Sequence, residues 1–166
     1  MLLAARLEER GVDAHVHSAG LLSPGQRIPR HGLAVMATRG FDSSSHRSRR
    51  LSAELVEPAD LIVAMAREHV QEIVATHPGA WGRTFTLKEL VRRGENLGPR
   101  RPDQALADYL AQLHAGRRPA DLMGSSGDDD VADPIGAPLR VYQRTADEID
   151  DLTARLARLL AGGQTP

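Results

Sequence analysis

Cysteine is absent from the 166 residues of this chain. Its absence excludes disulfides, thiolate zinc sites and a cysteine nucleophile within these residues. Aromatic side chains are also scarce, at 3% of the sequence, so the core must be mainly aliphatic. No apolar run approaches the roughly 20 residues that span a bilayer, so we expect no membrane contact of that kind.

An excess of charge of either sign is also missing. The 21 basic and 22 acidic side chains leave a net charge of -1, which gives no field to attract nucleic acid or anionic lipid. The opening Met1–Arg6 is too short and too soon charged for a signal peptide, so we expect a cytoplasmic protein. His15 and His17 could bind a metal, but no third ligand is evident, and we expect neither metal nor cofactor.

Hydrophobic residues make up 41% of the chain, enough for one folded domain, which we assign to residues 1–161 with a short tail at 162–166. The apolar run Leu61–Met65 is typical of a strand buried on both faces of a parallel sheet. Alternating residues predict a strand at Asp13–His17, and a third is expected at Thr84–Thr86. Apolar spacing and helix-capping residues predict helices at Met1–Arg10, Pro29–Gly40, Ala53–Glu57, Glu68–Ala75, Asp103–Ala115 and Leu139–Leu160. Another helix is expected after the Thr84–Thr86 strand, through Leu90 and Val91 to Gly94. This order predicts an α/β protein, with a small parallel sheet flanked by helices.

Four aspartates stand within six positions, from Asp128 to Asp133, before the last helix. Such a cluster is a solvated acidic loop, a cation site, or a general acid held beside a substrate. Asp133 differs from the others because Pro134 follows it. Proline restricts the backbone of the preceding residue, so Asp133 is held extended on a stiff loop, which suits a side chain that delivers a proton.

Five motifs in order resemble the low-molecular-weight protein tyrosine phosphatases, most closely the bacterial branch. The match runs from about Leu2 to Leu160. The motifs are Ser18-Ala19-Gly20, Ser45-His46-Arg47-Ser48-Arg49-Arg50-Leu51, Ala59-Asp60-Leu61-Ile62-Val63-Ala64-Met65, Thr84-Phe85-Thr86-Leu87-Lys88-Glu89-Leu90 and Asp129-Asp130-Val131-Ala132-Asp133-Pro134.

The resemblance implies phosphomonoester hydrolysis through a phosphocysteine, on a phosphorylated protein or a small phosphomonoester. Asp133 matches the acid that protonates the leaving oxygen. Ser18 and His46 fall where the family places groups that support the phosphate loop, although each also suits a purely structural role. The implied fold is that of phosphotyrosine protein phosphatase I.

The chain departs from the family at its start. Met1–Arg10 resembles the helix that follows the phosphate loop, so we expect the first strand and the Cys-x5-Arg loop to be missing. About four aliphatic side chains of that strand would contribute about 6–12 kcal/mol. Because a whole domain is stable by only about 5–15 kcal/mol, the remaining chain is expected to be marginal unless the strands at Val16 and Val63 pair directly or a partner supplies a strand.

Three functions follow from this departure. The first is a truncated phosphatase, inactive as it stands because it has no thiol. The second is a catalytically dead phosphatase-like module with a binding or regulatory role. The third is an arsenate reductase-like relative, which would also need cysteine. Ile135-Gly136 stands where many family members carry aromatic rings that stack on phosphotyrosine, which argues against a strict preference for that substrate.

Overall fold

A computed structural model describes residues 1–124 and 126–162, and the expected tail lies outside it from residue 163 onward. Its elements are α1 (Leu2–Glu8), α2 (Arg30–Ala37), α3 (Ala53–Val56), β1 (Ile62–Ala64), α4 (Arg67–Thr76), a 3-10 helix (Pro78–Arg83), β2 (Thr84–Thr86), α5 (Leu87–Leu97), α6 (Leu106–His114), a second 3-10 helix (Pro119–Leu122) and α7 (Leu139–Leu160). The predicted helices are therefore all present. None of the described helices is both long enough and apolar enough to cross a bilayer.

The sheet consists of β1 and β2 in parallel, with Ile62 opposite Thr84 and Ala64 opposite Thr86. Helix α4 forms the crossover between them, as a parallel connection requires. All three residues of β2 are buried. In β1 only Ala64 is buried, whereas its first two residues are partly exposed. The α/β class with a small parallel sheet and flanking helices is confirmed.

The predicted strand at Asp13–His17 is wrong. Residues 13–20 are exposed and belong to no ladder, and their one strand-like contact is an isolated parallel bridge between Gly20 and Arg50. Direct pairing with the Val63 strand does not occur, since β1 pairs with β2 alone among the described residues. The segment does alternate apolar and polar residues, but an extended segment becomes a strand only where another strand lies within hydrogen-bonding distance.

Helix α7 organises the core. Its apolar stripe packs on α5 and α1, and Leu156 and Ala157 are almost fully enclosed. The side chains of the main cluster are nearly all aliphatic, as the scarcity of aromatic residues predicted: Leu7, Phe85, Leu87, Leu90, Val91, Tyr109, Leu110, Leu113, Val131, Leu152, Leu156, Ala157 and Leu160.

The opening helix lies against the closing one. Leu7 is buried in the main cluster, and Arg6 donates to the Asp150 carboxylate from Nε at 3.0 Å and from Nη2 at 2.7 Å. Val131, from the acidic loop, belongs to the same cluster. The core thus connects α1 to the loop that carries Asp133.

Candidate active site and a neighbouring arginine cleft

The acidic loop is attached to the carboxyl end of β1. The Val131 N–H donates to the Met65 carbonyl at 2.8 Å. The Asp130 carboxylate accepts the backbone N–H of Arg67 through one oxygen and that of Ser126 through the other, each at 2.8 Å. Ligands of parallel α/β sheets bind outside the carboxyl ends of the strands, so the loop is anchored at the edge where a site is expected.

Asp129 is an ion-paired residue in this loop and is not solvated. Its carboxylate is only 8% exposed and joins two arginines, accepting from Arg67 Nε at 2.8 Å and from Arg92 Nη2 at 2.7 Å. Burial alone would raise the pKa of Asp129, but the hydrogen bonds from Arg92 and Arg67 outweigh burial and hold the pKa below its ordinary value. Asp128, by contrast, is exposed.

The side chain of Asp133, near the end of the acidic loop, is exposed to solvent. Its Oδ1 accepts the N–H of Ile135 at 3.0 Å, a side-chain turn that fixes the carboxylate over the Pro134 backbone. Two residues earlier the loop enters the core at Val131, and Thr145 of α7 donates to the Ala132 carbonyl at 3.4 Å. Both contacts fix the loop immediately before this carboxylate, whose role as an acid stays a prediction.

Ser18 and His46 lie on two loops that are joined by backbone hydrogen bonds. The Gly20 N–H donates to the Arg49 carbonyl, and the Gly20 carbonyl accepts the N–H of Leu51, each at 2.8 Å. Ser18 is exposed, and the partly buried His46 donates its backbone N–H to Ser43. Among the described residues, no hydrogen bond connects either side chain with Asp133, so their supporting role also stays a prediction.

A second feature, which the sequence analysis missed, is a buried ion-pair cluster next to the acidic loop. The Arg117 side chain is 2% exposed and forms a bidentate salt bridge with Glu89. Its Nε donates to Oε1 at 2.7 Å and its Nη2 donates to Oε2 at 3.0 Å. Arg93 shares the same carboxylate at 2.9 Å. The Arg117 guanidinium lies 3.9 Å from the ring centre of Trp81 and 4.2 Å from that of Phe85.

This cluster forms one wall of a cleft of about 340 Å³ that reaches the acidic loop at Asp129. We call it the arginine cleft after the five arginines that line it: Arg67, Arg92, Arg93, Arg117 and Arg118. A larger cleft of about 740 Å³ between α5 and α7 carries charges of both signs that pair with each other, as Lys88 does with Glu148.

The described residues contain no group of three or more histidine, aspartate or glutamate side chains that could hold a metal. The rings of His15 and His17 are 5.7 Å apart on the exposed segment. Asp129 and Asp130, the most enclosed members of the acidic cluster, are already occupied by arginine and backbone donors.

Comparisons with known proteins give a consistent result. The sequence model of the low molecular weight phosphotyrosine protein phosphatases matches residues 1–104. A protein-arginine-phosphatase of Geobacillus stearothermophilus is 30% identical over 96% of this chain and 86% of its own length. A protein-arginine-phosphatase of Bacillus subtilis is 30% identical over 92% of this chain and 80% of its own length. A probable low molecular weight protein-tyrosine-phosphatase of Ralstonia solanacearum is 38% identical over 49% of this chain.

Solved structures agree with these matches. A YwlE arginine phosphatase mutant with a phosphorylated active-site serine superposes with a TM-score of 0.72 at 28% identity, over 98% of this chain and 86% of that one. A YwlE mutant from Bacillus subtilis superposes with a TM-score of 0.68 at 29% identity, over 94% of this chain and 83% of that one. The match of the family model over more than half of the chain and the near full-length relatives lead to one conclusion: this chain belongs to the low molecular weight phosphotyrosine protein phosphatase family.

Proposed function

We propose that this chain supplies the scaffold and the proton donor of a phosphatase that removes phosphate from protein side chains. The observation that carries the proposal is the setting of Asp133. Its carboxylate is oriented by the Ile135 N–H on a loop that is bonded to Met65, at the carboxyl end of β1. A general acid has to be held in this way, exposed to the substrate but fixed in direction.

In the reaction, Asp133 would protonate the leaving atom as the phosphoryl group moves to a nucleophile. It would then take a proton from the water that hydrolyses the phosphoenzyme. The nucleophile of this chemistry is a thiolate, and residues 1–166 include no cysteine. The proposal therefore requires a thiolate from outside these residues, and the chain by itself is expected to be inactive.

The substrate class we favour is protein phosphoarginine. The two relatives that match almost the whole chain are named protein-arginine-phosphatases, whereas the tyrosine phosphatase of Ralstonia solanacearum aligns with about half of it. In addition, Ile135 and Gly136 follow Pro134, so the loop offers no aromatic ring on which a phosphotyrosine ring could stack.

The decisive experiment begins with the codons upstream of Met1. If they encode a Cys-x5-Arg loop in frame, the extended protein should hydrolyse phosphoarginine peptides with a higher kcat/KM than phosphotyrosine peptides. Asp133→Asn should then lower kcat by about 10²–10³-fold. Asp128→Asn, at an exposed carboxylate of the same loop, should leave kcat unchanged.

Two results would overturn the proposal. One is an upstream frame with stop codons and no such loop. The other is turnover of a chromogenic aryl phosphate by residues 1–166 alone that Asp133→Ala abolishes, since it would show that the nucleophile is another residue of this chain.

A catalytically inactive binding module is the second candidate, and the arginine cleft favours it because the cleft is complete within the described residues. This candidate predicts that residues 1–166 fold stably alone. A cooperative thermal transition of the isolated chain would support it, and an unfolded or aggregated product would favour the truncated phosphatase.

A further inference from the structure

The arginine cleft has an unbalanced charge. Five guanidinium groups and three carboxylates line it, so two positive charges are in excess. The excess arises because Glu89 and Asp129 are each shared between two arginines. The whole chain has a net charge of -1, so this local excess does not follow from a basic composition.

The cleft also has free hydrogen-bond donors. Among residues 1–124 and 126–162, Nη1 of Arg67 and Nη2 of Arg93 have no hydrogen-bond acceptor, although the other nitrogens of both guanidinium groups do. Arg118 at the rim is 77% exposed, and its Nη2 donates to Asp121 at 2.9 Å. Open, fixed donors of this kind suit an anion with several oxygen atoms.

The wall behind these donors is rigid. Arg117 is fixed by Glu89 and lies between Trp81 and Phe85, and the His114 ring packs edge-on against the indole. Burial, followed by the charges of Arg117 and Arg93, lowers the pKa of His114. The positive potential of the cleft thus acts on a neighbouring group, as a smaller cause beside burial.

We propose that the arginine cleft binds a phosphoryl dianion carried on a side chain of a phosphorylated protein. A volume of about 340 Å³ holds the phosphoryl group together with the side chain that bears it. The dianion matches the two excess positive charges. The segment from residue 98 to 122, which follows α5, brings Arg117 and Arg118 to the arginines of α4 and α5 and so builds the site.

Trp81 makes the proposal directly testable because it is the only tryptophan of the chain and lies in the cleft. Its fluorescence is followed while residues 1–166 are titrated, at constant ionic strength, with a peptide carrying one phosphoserine. The unphosphorylated peptide and inorganic phosphate form the other two arms. We expect saturable binding of the phosphopeptide, competition by millimolar phosphate, and no response to the unphosphorylated peptide.

Charge variants assign the binding to the cleft. Arg118→Glu should weaken phosphopeptide binding about tenfold or more, because it changes the charge at the rim by two units. Arg118→Lys keeps the charge and should bind within about threefold of the wild type. Arg158→Glu makes the same charge change on the exposed face of α7 and should have less than a twofold effect.

The readout is affinity and involves no turnover, so it is independent of the role of Asp133. The absence of saturable binding would refute the proposal. Equal weakening by Arg118→Glu and Arg158→Glu would also refute it, since it would show a general charge effect. Binding of inorganic phosphate without binding of the phosphopeptide would overturn the protein side chain as the ligand.

Discussion

Asp129→Asn is the substitution that tests how the acidic loop is held. The change keeps the shape of the side chain but removes the charge that Arg67 and Arg92 share. An asparagine can accept through one oxygen only, so at least one guanidinium loses its partner. Because Asp129 is 8% exposed, water cannot fully replace what is lost.

The magnitude follows from the exposure of the three side chains. Breaking a fully buried ion pair costs about 3–5 kcal/mol, whereas an exposed pair contributes about 0.2–1 kcal/mol. Arg67 is 20% exposed and Arg92 is 49% exposed. The network therefore lies between these limits, and we expect Asp129→Asn to lower the free energy of unfolding by roughly 2–3 kcal/mol.

Two measurements check this expectation. Denaturant titration of the whole chain gives the change in the free energy of unfolding. Amide hydrogen exchange at Val131, whose N–H donates to Met65, reports whether the loop has separated from β1. Asp128→Asn is the matched control, since it is the adjacent, exposed aspartate and should stay within about 0.5 kcal/mol of the wild type.

The reasoning would be refuted if the two variants had the same stability, or if Asp129→Asn left the exchange at Val131 unchanged. Either result would mean that the apolar contacts of Val131 hold the loop without help from the buried carboxylate.

Three further predictions follow. Because the folded-state pKa of Asp129 is depressed, its contribution is present above its ordinary pKa and is lost as pH falls through the lower folded value. The stability difference between the wild type and Asp129→Asn should therefore shrink below about pH 4, as measured by denaturant titration at several pH values. Gly94→Ala should lower stability by roughly 1–2 kcal/mol despite its better helix propensity, because the new Cβ would lie 2.6 Å from Leu159 and 3.2 Å from the Tyr109 hydroxyl; a thermal shift upward would contradict this. Amides of residues 13–19 should exchange within seconds at neutral pH, since the segment belongs to no ladder, and protected amides there would restore the predicted strand.

Helices and buried strands were predictable because their signals are local. The apolar stripe of α7 gave its bounds, Leu139–Leu160, without error. Thr84–Thr86 was likewise correct. Asp13–His17 failed because local alternation shows that one face of a segment is apolar but does not show whether another strand lies beside it.

The candidate site was only partly predictable for a related reason. Asp133 was found through the proline that follows it, a feature of adjacent residues. The burial of Asp129 depends on Arg67 and Arg92, which are 62 and 37 positions away in the sequence. One signal was available for the other cluster: Glu89 lies on the apolar face of α5 beside Leu90, and a buried carboxylate needs a cationic partner.

The open edge of strand β1 bears on how the protein associates with itself in solution. It bonds to β2 on one side, and among the described residues its other side bonds to no strand, so a short row of backbone donors and acceptors is open beside partly exposed Ile62 and Val63. Natural proteins cover or charge such edges because they act as templates for other chains. At high concentration two molecules can join their sheets edge to edge. The apparent molar mass from light scattering should therefore rise with protein concentration at temperatures below thermal unfolding.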